Sequence, residues 1–254
     1  MNTNGHGSVR KRLARRALER QLRYQVKKAQ HLNGREQDVI LAMQRSSKRV
    51  RDLLEAFQTI ADDARVIEVG SGAHGLIFYF GAKLGVGVDP LAVSYRSLFP
   101  RWQNCASTIA AAGEQLPFAD ASFDVVLCDN VVDHAESPQQ IVAELVRILR
   151  PGGLLYFTVN VHHPVYAVAA GLHSGWRGLG IPYEIGPFAD HTTHLTLPAA
   201  AELFKALPLE ILSKKSNIDE ARARARKQPA RHMGDRLKRV FFKNALYELV
   251  AKRV

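Results

Sequence analysis

The sequence predicts an α/β fold, a mostly parallel sheet between layers of helix, preceded by a basic helical extension. From Arg65 onward, short β-branched runs alternate with helical stretches, the pattern of βαβ units with right-handed crossovers. The 254 residues, 46% of them hydrophobic, suffice for one substantial core. Charge is also segregated: residues 1–60 hold 14 Lys/Arg against 5 Asp/Glu, residues 61–204 hold 7 against 14, and residues 205–254 hold 14 against 5. An acidic centre flanked by basic arms suits chemistry on a cation, with the arms meeting an anionic surface or simply solvating helix faces. Residues 1–60 read as the extension and 61–254 as one domain, with an insertion at about 160–197.

In the extension, Leu18, Leu22, Val26 and Ala29 share one helical face over Arg10 to Ala29. Val39, Met43, Val50, Leu54 and Phe57 make a second stripe after the break at Asn33-Gly34. The domain then reads as strand VIEV, a helix from Gly75, strand GVGVD, a helix from Leu91, a strand around Cys105 to Ala110, strand FDVVLCD, a helix from Pro138 to Leu149, and strand LLYFTVNV. R-P-G-G at 150–153 reads as a turn into the fifth strand. Beyond Asn160 the chain is rich in Gly, His and aromatics with little periodicity up to Leu197, a length of irregular chain that usually serves function or is disordered. A helix at 198–207, a strand near Leu209 to Ser213, the basic run ARARARKQPAR and a final strand ALYELVAKRV follow.

Cys105 and Cys128 both fall in apolar runs that read as strands and form no metal knuckle or disulfide framework. No apolar run is long enough to cross a bilayer, and the N-terminus lacks the hydrophobic segment of a secretory signal. It faintly resembles an Arg-rich transit peptide, against which stand Glu19 and the continuing helix pattern. A cytoplasmic setting is expected.

The densest motif is EVGSGAHG, residues 68–75, whose Gly70, Gly72 and Gly75 spell G-x-G-x-x-G. Such a loop lets the backbone turn tightly and approach a nucleotide, and Asp89 at the end of the second strand can accept from both hydroxyls of a ribose. NAD and S-adenosylmethionine both fit that much. Glu68 favours the second, because a carboxylate there opposes a pyrophosphate but suits an amino group or sulfonium.

EVGSGAHG, VGVDP, GEQLPFADASFDVVLCDNVVDH and LRPGG, in this order, resemble the class I S-adenosylmethionine-dependent methyltransferases of the small-molecule, type 11 branch. The likeness is close over about 64–160 and architectural elsewhere. It implies a Rossmann-like seven-stranded sheet of order 3-2-1-4-5-7-6 with its last strand antiparallel. It implies that Gly70, Ser71 and Gly72 line the methionine part of the cofactor, that Asp89 with Pro90 holds the ribose, that Glu114, Gln115 and Leu116 lie beside the adenine, and that Asp129 and Asn130 face the methyl end. Ala112 stands where the family often has an acidic residue for the adenine amino group, which leaves that work to Glu114 or a backbone carbonyl.

Methyl transfer to an alcohol needs alignment and a base titrating near neutrality, for which histidine is the usual choice. His134 follows the fourth strand, where the family commonly has a histidine, and a capping role is its alternative. His162, His163, His173, His191 and His194, half of the chain's ten, lie in the irregular segment where these enzymes usually build the acceptor pocket. His134, His163, His191 and His194 are the candidate bases. H-T-T-H at 191–194 with His162 or Asp190 has a composition that suits a metal, but no helix or strand fixes it, so no metal is expected.

No Pro-Pro-aromatic run follows the fourth strand and no Pro-Cys nucleophile is present, which argues against DNA base methylation. The expected function is methyl transfer to O or N of a small or lipid- or sugar-linked acceptor, with the arms drawing an anionic acceptor or making peripheral membrane contact. The alternatives are an RNA methyltransferase gripping phosphates with its arms, and a non-catalytic interaction protein on a cofactor fold.

Overall fold

A computed structural model describes residues 18–32, 34–135, 137–168, 193–227, 229, 236, 241–242 and 244–254. Seven strands form one mixed sheet: β1 Arg65–Val69, β2 Leu84–Val88, β3 Ser107–Ile109, β4 Phe123–Asp129, β5 Leu149–Val161, β6 Leu209–Ser216 and β7 Ala245–Arg253. Their order is β3-β2-β1-β4-β5-β7-β6, with β7 antiparallel to both neighbours and the other pairings parallel. This is the sheet that the family resemblance implied.

Residue alternation along the strands sends two sets of side chains to two faces. On one face Ile67, Val69, Val126, Cys128, Phe157 and Leu249 meet the helix Pro138–Ile148 through Ile141, Val142 and Leu145. Ser137 caps that helix by accepting from Gln140 N–H, and Pro138 occupies its first turn. On the other face Val66, Val125, Leu127, Tyr156 and Val250 meet Ile40, Met43, Val50 and Leu54 of the helix Glu36–Glu55. Ser47 lies inside that apolar stripe and donates to Leu76 O at 2.7 Å, so the one hydroxyl there is satisfied.

Several elements differ from expectation. In place of a helix from Gly75 there is a single 3-10 turn, Leu76–Tyr79, stopped by Gly81 in the left-handed region. The helix Glu36–Glu55 packs against that turn and covers the face a longer crossover would have covered. Phe57 falls beyond the end of that helix and is exposed, while Ile40 takes a place in the buried stripe. Cys105 sits in a turn before β3 and is exposed, whereas Cys128 is buried in β4. β5 pairs with β4 from Leu149, so the R-P-G-G stretch is drawn into the strand, with a register irregularity between Phe123 and Val125. The basic run opens as a helix, Ile218–Lys227.

Candidate active site

The carboxyl ends of β1, β2 and β4 gather most of the cofactor residues named above. The first turn after β1 is pinned by backbone: Gly70 N–H and Ser71 N–H both donate to Val88 O at the end of β2, at 2.7 and 3.0 Å. Gly70 has φ 75° and Gly72 φ 52°, a region costly for residues with a Cβ. At Gly70 a Cβ would lie 2.3 Å from Val131 Cγ2, and at Gly75 it would lie 2.3 Å from Glu68 Oε2. Those two glycines are therefore packing requirements. Gly72 is different: a Cβ there would meet nothing nearer than Gly70 O at 3.8 Å and Asp89 Oδ2 at 4.0 Å. The loop thus opens toward the Asp89 carboxylate, which leaves room for a nucleotide sugar.

Asp89 accepts from Gly72 N–H at 3.1 Å and from Leu91 N–H at 2.7 Å. Burial raises its carboxyl above the usual range against those two donors. Glu68 is 1% exposed and accepts from Ile77 N–H at 2.9 Å, so its carboxylate is turned beneath the glycine loop. Burial, reinforced by the fields of Asp129 and Asp89, pushes it up to about 8. Ser71 is buried, and a Cβ on Gly87 would stand 2.7 Å from its Oγ, so its hydroxyl points down at the sheet and only its backbone borders the opening. Pro90 is exposed after Asp89.

On the far side of the opening, Leu116 N–H donates to Glu144 Oε2 at 2.8 Å and Gln140 Nε2 donates to Glu114 O at 3.0 Å. Arg147 donates to Leu116 O and Phe118 O and pairs with Glu144 and Asp120. Leu116 is buried while Gln115 is exposed. The Glu114-Gln115-Leu116 turn is therefore shaped by Glu144 and Arg147, two residues the motif reading missed. Their i, i+3 spacing was visible, but nothing local pointed it at a turn 28 residues earlier.

At the end of β4, Asp129 opens to solvent on one side and accepts from Thr158 Oγ1. Loss of water on its other sides holds its carboxyl above the ordinary range, against Thr158 and the field of Arg49. Asn130, with φ 59°, accepts from Asn160 N–H and Asn160 Nδ2 at 3.1 and 2.6 Å. Asn160 Nδ2 also reaches Asp133 Oδ2 at 3.4 Å.

The histidines divide. His134 ends the one-turn helix Val132–His134; its side chain and the whole of His191 lie outside the described residues. His163 Nδ1 accepts from Val165 N–H at 3.3 Å, and its ring meets Phe241 and Phe242 at 4.9 and 5.6 Å, as a capping and packing residue does. His194 lies 5.1 Å from the ring of His162 and 5.7 Å from that of Tyr166. Thr193 N–H donates to Asp133 O at 2.9 Å, which brings this strand of chain back to the β4 end. His162 is fully buried, and its Nδ1 accepts from Asn244 N–H at 3.4 Å. Among the described residues no three His, Cys, Asp or Glu side chains are grouped to hold a metal, and no helix is long and apolar enough to cross a membrane. A cavity of about 320 Å3 opens at the opposite, amino ends of the strands. Its Arg65 and Arg150 both meet Asp124 there, so their charges are already answered.

A glycine loop over an acidic strand end, on a sheet of order 3-2-1-4-5-7-6, defines a class I methyltransferase fold. The family described as "Methyltransferase domain" matches residues 67–157, the stretch that carries the glycine loop, Asp89 and the end of β4. An uncharacterized methyltransferase of Mycobacterium sp. (strain KMS) is 31% identical over 152 residues, 58% of this chain and 50% of its own length. One from Mycolicibacterium gilvum (strain PYR-GCK) is 39% identical over 103 residues, 38% of this chain and 39% of its own. The chain thus spans half the length or less of these relatives. Geranyl diphosphate methyltransferase in complex with S-adenosylmethionine superposes with a TM-score of 0.58 at 14% identity, over 82% of this chain and 85% of that one. Geranyl diphosphate C-methyltransferase from Streptomyces coelicolor A3(2), bound to Mg2+, geranyl diphosphate and S-adenosylhomocysteine, gives 0.56 at 14%, over 82% and 77%. At such identity the likeness is one of fold.

Proposed function

We propose that the protein transfers a methyl group from S-adenosylmethionine to an oxygen or nitrogen of a small or lipid- or sugar-linked acceptor. The observation that carries this is the opening between Gly72 and the Asp89 carboxylate at the carboxyl ends of β1 and β2, with Asp129 at the neighbouring end of β4. Two carboxylates at adjoining strand ends oppose a pyrophosphate and suit a cation. The cofactor supplies an electrophilic methyl on a sulfonium. Gly70 to Gly72 and Asp89 hold it, Glu114 to Leu116 border the adenine, and Asp129 and Asn130 fix the methyl-bearing end. His194, next to Thr193 whose N–H meets Asp133 O, is the favoured base for the acceptor's proton, with His134 as its alternative.

Calorimetric titration with S-adenosylmethionine, S-adenosylhomocysteine and NAD tests this reading. The two sulfur nucleotides are expected to bind and NAD is not; binding of NAD alone overturns it. The basic helix Ile218–Lys227, with Arg222, Arg224, Arg226 and Lys227 and no buried residue, favours an anionic acceptor or surface. It equally supports a second reading in which the acceptor is RNA, for which steeply salt-dependent RNA binding is the test.

A further inference from the structure

The helical stretch 18–30 carries Gln21, Gln25 and Lys28 at spacings of four and three, which places them along one side. Beyond its end Leu32, and within it Ala29, join the apolar cluster that includes Ala73, Leu76, Tyr95, Phe99 and Trp102. The stretch therefore lies against the glycine loop and the segment following Asp89. The polar line is anchored at both ends. Gln21 lies beside the Tyr95 hydroxyl, itself within the field of Asp89. Lys28 stands near enough to His74 for its charge to oppose protonation of that ring. The line thus runs from the Asp89 end of the opening to its glycine end.

Between those anchors Gln25 is 7% exposed, in the middle of the inner face, and its amide oxygen has no partner among the described residues. Among the described residues His74 Nε2 and Gln103 Oε1 beside the same loop also lack one, although Gln103 Nε2 donates to Gly72 O and Ala73 O. Native interiors rarely leave buried polar groups unsatisfied, and a cluster of them marks a place where something polar binds. Lys28 is the second sign. It is half-buried, and its pKa falls through burial with no carboxylate offsetting the loss. A desolvated ammonium and an unsatisfied amide one helical turn apart fit a group that carries both a carboxylate and an amine.

We propose that Gln25 and Lys28 bind the amino-acid end of S-adenosylmethionine, Lys28 pairing with its carboxylate and Gln25 accepting from its amino group, so that helix 18–30 is a wall of the cofactor site. This rests on the reading of the glycine loop given above. The basic extension then serves cofactor recognition as well as any anionic surface.

The test compares S-adenosylhomocysteine with 5′-methylthioadenosine, which keeps the adenosine and the sulfur but lacks the amino acid. Both are titrated calorimetrically into the full chain and its Lys28→Met and Gln25→Leu variants. Lys28→Met is expected to weaken S-adenosylhomocysteine about tenfold or more and Gln25→Leu about threefold, each leaving 5′-methylthioadenosine within about twofold. The ligand-free melting temperature of both variants should stay near or above that of the unaltered protein, since Gln25→Leu removes an unsatisfied buried oxygen and Lys28→Met a partly desolvated ammonium. If both ligands weaken together, the helix only supports the loop and the assignment is wrong. It is equally wrong if neither weakens. Should the unaltered protein bind neither ligand, the cofactor reading itself falls, a result distinct from the other two.

Discussion

The two halves of the sheet hold the edge that carries the site in different ways. At β1 and β2 backbone donors do most of the work: Gly70 and Ser71 N–H on Val88 O, Gly72 and Leu91 N–H on the Asp89 carboxylate, and glycines where a Cβ would collide. At β5 and β7 side chains do it: Thr158 on Asp129, Asn160 on Asn130, Asn244 N–H on His162, and Arg49 with Tyr156 on Glu248. A half built from backbone tolerates no side chain in the wrong place and so is confined to glycine. A half built from side chains tolerates exchange, provided the partners change together.

The largest effect expected on this contrast is at Gly70. In Gly70→Ala the left-handed φ costs about 1–2 kcal/mol and overlap with Val131 adds about 1–3 kcal/mol. The melting temperature should fall by roughly 5–15 °C, and S-adenosylhomocysteine binding should be lost. Adding Val131→Ala removes the two closest contacts, leaving its Cβ at 3.0 Å, and should restore part of the stability. A Gly70→Ala protein that melts and binds normally would show that the loop is not confined by packing. Next is Asp89→Ala, which removes the acceptor of two loop amides along with the proposed ribose contact. Calorimetry should show cofactor affinity down by about 100-fold; a drop below about threefold would separate Asp89 from the nucleotide.

That contrast also accounts for how much was legible in the sequence. The alternation of strand and helix, the glycine loop and Asp89 could be expected because each leaves a local mark: β-branched runs between helices, glycines at fixed spacing, an acid at a strand end; the strand order came only with the family resemblance. Glu144 and Arg147 left none, since an i, i+3 pair on a helix does not say which turn it will hold. The 3-10 turn Leu76–Tyr79 was read as a helix because the apolar run LIFYF fits either, and only the packing of Glu36–Glu55 decides between them. Among the histidines, spacing alone did not separate His163, which caps and packs, from His194, which returns to the β4 end.

Glu68 offers a pH-resolved test. In the folded chain its carboxyl is raised from an ordinary 4.5 to about 8, so between those values the native state holds a proton that the unfolded state has released. Stability therefore falls as pH rises across that window and levels above it. Glu68→Gln keeps an acceptor for Ile77 N–H and should flatten this slope in denaturant titrations between about pH 5 and 8. Binding a sulfonium near Asp89 and Asp129 should also expel part of the Glu68 proton. S-Adenosylmethionine should then release more protons at pH 7 than S-adenosylhomocysteine does, read from binding heats in buffers of different ionisation enthalpy. Equal release by the two would place Glu68 out of reach of the sulfonium.

The smallest effect expected is in the side-chain-built half. Arg49 donates to Glu248 Oε2 at 2.8 Å and to the Tyr156 hydroxyl at 2.7 Å, and that hydroxyl donates to Glu248 at 3.1 Å. The Arg49 side chain is 54% exposed and that of Glu248 is 14% exposed, so water screens one side of the pair and its coupling should be modest. A double-mutant cycle with Arg49→Met and Glu248→Gln should yield about 0.5–1 kcal/mol of interaction energy. Arg49 also lowers the carboxyl of Asp129, while Glu248 raises it. The two single variants should therefore move Asp129 in opposite directions, Arg49→Met upward and Glu248→Gln downward. Side-chain carboxyl NMR of Asp129 reads those directions, and movement in the same direction for both would mean that the cluster acts on Asp129 through packing rather than charge.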